Sequence, residues 1–275
     1  MTLPQQTDAD GYANQAPGAE APPTASTAPS LQKGDDGGIP ATALTPAQHR
    51  LRWLELILLL GVCFGKDLAY SIHVQMTDPF LAHDHSERSA FITLTSVIDE
   101  IGQLGLIAYI LYRQGRRFLD IGLNFRPWDL AIAVPIYAVG FAARRLLQDF
   151  AARLLKQPTD HAGLWTMLCY GFSYDWHVSH AYFFTTLFLG VLNPFTEELI
   201  VRAYLMTEIR ALTGSVPLAV VASTLFQTSY HFYEGILPPI GHLAMFFVFS
   251  LFFAKTKRIM PVIFAHMFAD ILPIA

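Results

Sequence analysis

The chain has 275 residues, of which 53% are hydrophobic and only 15% charged, with a formal net charge of −4. A soluble domain carries about 25% charged residues; here the first 50 residues are polar and the rest hold nearly all the apolar mass, which excludes an ordinary soluble globule. The charge balance leaves no basic footprint for nucleic acid. Cys63 and Cys169, both in or near apolar runs, exclude a disulfide framework and a cysteine-built zinc site.

Residues 1–44 hold six of the seventeen prolines, with many Ala, Gln, Thr and Gly and no apolar periodicity. Such a segment buries too little surface to offset chain entropy, so a disordered tail is expected there. Its single Lys33 and lack of an apolar core exclude a secretory signal or transit peptide. Order is expected to begin at Thr45-Pro46-Ala47-Gln48. Thr at the N-cap, Pro at the first helical position and Gln three residues on form a capping-box start.

The expected fold is all-α: a polytopic transmembrane bundle over 45–275, after the tail at 1–44. Seven apolar spans are expected near 53–75, 90–112, 128–147, 181–203, 216–233, 238–254 and 259–274. The long connection 157–180, with Trp165, Trp176, His161, His177 and His180, would lie at an interface, where an extra helix would make eight. With the N-terminus inside, ten Lys and Arg fall on the inner side against five outside, which favours an N-terminus in the cytoplasm. An integral protein of a bacterial inner membrane fits this layout.

Ionisable groups at membrane depth are candidate functional residues by default. Lys66-Asp67 and Asp99-Glu100 come first. Lys66 lies about 20 Å in from Trp53, and Asp99 roughly 14 Å from the opposite face. In a core of ~30 Å these depths nearly coincide, so a buried interhelical ion pair is expected, or a contribution to a site.

Glu197, Glu198 and Arg202 come next. Glu198 and Arg202 stand at i, i+4 and can pair along one helix face. Glu197 is turned about 100° away, which leaves it as the tunable carboxylate, suited to general-base work. Alternatively, Asn193-Pro194 starts a new helix and both carboxylates sit in its first turns, where the helix dipole favours acids.

His231, and His266 with Asp270 one turn later, lie late in the chain on separate helices, and Gln227 shares a face with His231. Packing alone does not account for a bundle core that collects all of these. They point to a polar, water-holding site within the membrane.

The same residues resemble the CPBP family, the CAAX-protease and bacteriocin-processing (Abi) group of intramembrane proteases, which carries EExxxR, FxxxH and HxxxN motifs on separate helices, the last Asn replaceable by Asp. Glu197-Glu198-Leu199-Ile200-Val201-Arg202 matches the first, and His266-Met267-Phe268-Ala269-Asp270 the third. In Phe226-Gln227-Thr228-Ser229-Tyr230-His231, Gln227 occupies the place of the motif's Phe. The resemblance covers about residues 180–275. It implies peptide-bond hydrolysis in the bilayer, acting on a membrane-associated protein or peptide. Glu197 would activate water with support from Glu198 and Arg202. His231 would hold the water or oxyanion, and Asp270 would orient His266.

No cofactor is expected on this analogy. A zinc version would use Glu197, His231 and His266, but the sequence contains no HExxH. Two other functions compete. One is a non-catalytic membrane partner, such as an immunity or scaffold protein. The other is an ion-coupled transporter, which should show broken helices in matching halves; only Asn193-Pro194 suggests a break. The sequence carries no signal of oligomeric state.

Overall fold

The computed structural model describes residues 44–78, 80, 90–157 and 180–271. The expected tail lies outside these residues except for Leu44, as does nearly all of the connection 157–180. Secondary structure among the described residues is helical: α1 (Pro46–Thr77), α2 (Ala90–Arg113), α3 (Asp129–Leu154), α4 (His180–Glu197), a π-helical stretch (Glu198–Tyr204), α5 (Leu205–Thr213), α6 (Val216–Tyr230), α7 (Leu237–Thr256) and α8 (Met260–Ile271).

Local chemistry sets the helix ends. Thr45 Oγ1 accepts from the Gln48 backbone N–H at 3.3 Å, and Gln48 Oε1 accepts from the Thr45 N–H at 2.9 Å, so the capping box expected before α1 is present. Ser215 caps α6 in the same way, accepting from Leu218 N–H at 3.2 Å. Gly214, with φ of 73°, ends α5. Gly122, with φ of 92°, is needed for a second reason: a Cβ there would meet the Lys257 carbonyl oxygen at 2.4 Å. Its own carbonyl accepts from Ile259 N–H at 3.2 Å, which fastens the α2–α3 connection beneath the α7–α8 corner.

Among the described residues, four helices are long and apolar enough to cross a membrane: Pro46–Thr77, Leu94–Arg113, Asp129–Leu154 and Leu237–Thr256. Large apolar side chains cover much of the surface, and charged groups are embedded in an apolar core. Val62, Met76, Tyr112, Leu146 and Leu154 are exposed, whereas Glu55, Asp129, Glu198, Arg202 and Glu208 are buried. That distribution suits a lipid solvent.

Three expected spans differ in extent. α3 continues to Leu154 rather than ending near 147, because Arg144 and Arg145 stay in the helix; the Arg144 stem packs on Gly241 of α7. α6 has 15 residues and α8 has 12, about 22 and 18 Å of rise, short of a ~30 Å core. Their apolar composition reflects burial among other helices. Of the two alternatives at Asn193-Pro194, the new helix start is absent: Pro194 lies inside α4, and helical structure runs unbroken from His180 to Thr213.

α3 packs on α7 and α8, α6 on α5 and α7, and α4 on α2 and α8. A polar layer closes one end. Arg52 Nη1 stands 3.5 Å from Glu208 Oε2, Arg116 also binds Glu208, Arg113 pairs with Glu55, and Arg258 pairs with Asp129. These arginines all belong to the set expected on the inner side.

Candidate active site

Glu198 opens the π-helical stretch, and Glu197 is the last residue of α4. π-turns inside helices are rare and recur at functional sites. Here the winding keeps Arg202 on the face of Glu198, and Nη1 stands 2.8 Å from Glu198 Oε1 with both side chains buried. The guanidinium lies over the Phe246 ring at 5.0 Å and the Phe249 ring at 5.6 Å, and donates to the Phe246 carbonyl at 3.4 Å. Charge, ring faces and carbonyl together make burial of this arginine tolerable.

Gln227 stands at the centre. Its Oε1 accepts from Arg202, while Nε2 donates to Glu197 Oε2 at 3.0 Å and Glu198 Oε1 at 3.3 Å. The position that carries Phe in the family motif is thus a fully buried amide linking both carboxylates to the cation. Phe226, one residue earlier, packs edge-on to Phe64 instead.

Glu197 is not left free, as the helix-face reading expects. Besides Gln227 it accepts from Asn193 Nδ2 at 3.3 Å, and His231 Nε2 lies 3.8 Å from Oε2. Its partners are neutral amides and an imidazole, whereas Glu198 holds the arginine. The two carboxylates are therefore unequal, in the sense that their spacing implies.

His231 caps the C-terminus of α6. Helix α1 fixes that corner: Ser71 Oγ donates to Tyr230 O at 2.7 Å and accepts from Tyr233 N–H at 3.0 Å, and Gln75 Nε2 donates to Phe232 O at 2.8 Å. The ring is held through Nδ1 by Glu234 Oε1 at 3.0 Å, so Nε2 faces Glu197.

His266 comes in from α8, and its Nδ1 meets Glu198 Oε1 at 2.7 Å. The expected orientation of His266 by Asp270 is not present. Nε2 and Oδ1 stand 3.7 Å apart, too far for a hydrogen bond, and Glu198 orients the ring instead.

Asp99 and Glu100 separate. Asp99 pairs with Lys66 at 3.0 Å, but that pair is exposed rather than buried, with side chains 73% and 52% accessible. Glu100 turns inward, meets Thr196 and lies within electrostatic reach of Glu197. Neighbours on a helix differ by about 100°, so one faces out and the other faces the site.

Residues 179–272 match the family model described as type II CAAX prenyl endopeptidase Rce1-like. This part of the chain is similar to that family. No curated protein and no solved structure matches the chain. The segment spans α4 through α8, which contribute the two glutamates, Arg202, Gln227, both histidines and Asp270. Glu100 comes from α2, outside it.

The matched segment brings Glu197, Glu198, Arg202, His231 and His266 together, with Asp270 at the margin. Among the described residues, the zinc set Glu197, His231 and His266 is not gathered as one ligand group. Among the described residues, the group whose ligand atoms all lie within 4.8 Å of one another is His231, Glu234 and His242. Sequence reasoning missed Glu234 and His242. The available signal was an acid three residues beyond His231, just past the helix end.

Proposed function

We propose that the protein is an intramembrane endopeptidase that hydrolyses a peptide bond in a membrane-associated protein or peptide, with water activated by Glu197. The observation that carries this reading is the unequal service of the two glutamates. Arg202 and His266 both bind Glu198 Oε1. Glu197 has amides on both oxygens and an imidazole 3.8 Å away.

A water hydrogen bonded at roughly 2.8 Å to both Glu197 Oε2 and His231 Nε2 fits at the apex of that gap. Glu197 would take its proton as the oxygen attacks the scissile carbonyl, then return the proton to the leaving amine. An imidazolium at His231, held at Nδ1 by Glu234, would turn Nε2–H toward the oxyanion. Glu198 would fix His266 and Arg202 electrostatically, and Gln227 would hold the spacing of the two carboxylates. No metal enters this scheme. The reading extends to a bacterial inner membrane with the N-terminus cytoplasmic, on the strength of the arginine-rich layer that closes one end of the bundle.

The test compares protein termini, by mass spectrometry, in membranes of native cells carrying wild type or Glu197→Gln. Termini present only with wild type support proteolysis and name the substrate. Identical termini with both proteins abundant overturn the reading in favour of a non-catalytic membrane partner.

A further inference from the structure

We propose that His231, Glu234 and His242 form a binding site for one divalent transition-metal ion, zinc by its donor chemistry. The three residues converge from different places: the C-cap of α6, the 3-10 turn Phe232–Glu234, and the second turn of α7. Their ligand atoms all fall within 4.8 Å of one another. Glu234 offers Oε1 at 3.0 Å from His231 Nδ1 and Oε2 at 3.7 Å from His242 Nδ1. A tetrahedral zinc ion with bonds of about 2.0–2.2 Å holds its ligand atoms roughly 3.3–3.5 Å apart. The two spacings to Glu234 bracket that value, and the ligand atoms all lie within 4.8 Å of one another, so the three side chains would close on an ion by about an ångström or less.

A second observation points to a ligand independently. His242 is only 6% exposed, and its buried Nδ1 has no hydrogen-bond partner. That nitrogen faces Glu234 across a distance too long for a hydrogen bond. A buried acceptor without a partner costs on the order of 1–3 kcal/mol, and a metal ion would satisfy it. Access exists as well: Glu234 lines a cleft of about 190 Å³ with Gln148, Gln157, Ile236 and Pro238. Two imidazoles and one carboxylate are a set that zinc accepts while keeping a fourth position for water. Arg144, within electrostatic reach of both Glu234 and His242, is the cation that the ion must tolerate.

The site touches the reaction centre at one atom pair. With a metal on Nδ1, the neutral His231 ring carries its proton on Nε2, which faces Glu197. The ion would thereby fix the donor face of His231, a task otherwise left to Glu234.

The inference does not depend on the hydrolytic reading, and its test needs no substrate. The full chain is purified in detergent with any histidine tag removed, stripped of metal, and titrated with cobalt(II) while the visible bands of tetrahedral cobalt are followed. Zinc is then added to displace it. We expect one equivalent of bound cobalt. Binding should weaken by about tenfold or more in His242→Gln and in Glu234→Gln, and remain at the wild-type level in Glu197→Gln and His266→Gln. Glu234→Gln guards against a folding defect at His242, because the Glu234 side chain is partly exposed. No cobalt bound by wild type, wild-type affinity in both ligand variants, or loss of binding in Glu197→Gln would each overturn the proposal.

Discussion

Arg202 donates to the Oε1 of Gln227, so the amide must turn its NH2 toward the two glutamates. An amide flipped the other way would set oxygen against two carboxylates. The arginine therefore dictates the orientation of the group that separates Glu197 from Glu198.

Gln227→Leu should test that bridge. It keeps the volume but leaves Glu197, Glu198 and Arg202 each short of a partner, at about 1–3 kcal/mol for each unsatisfied group. A lowered unfolding midpoint in detergent is expected, with cleavage reduced further than the stability loss explains. An unchanged midpoint would show that the amide bridges nothing of energetic weight.

Glu197→Gln keeps the shape and the contact with Gln227 but removes the base. Cleavage should fall roughly 10²–10⁴-fold, while the variant folds and inserts as wild type does. Retained activity would assign the base elsewhere.

For Glu198→Gln the expectation is reversed in kind. It strands Arg202 as a buried charge, and breaking such a pair costs on the order of 3–5 kcal/mol. Reduced yield and a lower unfolding midpoint should accompany lost activity. Replacing Glu198 and Arg202 together, by Gln and Met, should recover part of the stability and none of the activity.

Asp270→Asn bears on the third motif. Because Asp270 stands 3.7 Å from His266 Nε2 and Glu198 holds the ring, the change should leave cleavage within about tenfold of wild type. A larger loss in kcat with KM unchanged would mean that Asp270 approaches His266 in the transition state.

Chelation separates the hydrolytic reading from a zinc enzyme. Metal-stripped protein should cleave its substrate, since no step requires the ion. Activity that disappears with chelator and returns with zinc would make the metal part of the reaction.

The site was partly legible in the sequence because its chemistry is expensive in lipid. Glu197, Glu198, Arg202, His231 and His266 stand out against apolar helices, and the i, i+4 relation of Glu198 to Arg202 appears as a direct 2.8 Å contact. Glu234 and His242 were hidden, one in a turn and the other near a helix start, where no periodicity marks a facing direction. Asp99 and Glu100 read as one acidic unit although the helix sends them to opposite environments. The bundle was legible as a class, but α6 and α8 were not legible as short helices. A segment covered by neighbouring helices is as apolar as one covered by lipid.

The winding of Glu198–Tyr204 has a consequence for how the chain tolerates change in length. A π-turn holds one residue more than the α-turn it replaces. The stretch therefore absorbs one surplus residue while α5 keeps its azimuth relative to α4, and Glu208 stays beside Arg52 and Arg116. Deleting one residue there would let the helix wind as regular α with both flanks still in phase. The arginine layer would keep its central anion, and the disturbance would fall on Glu198 and Arg202, which occupy the widened turn. The charged end of the rod is thus insulated from how its middle winds, whereas the carboxylate site is not.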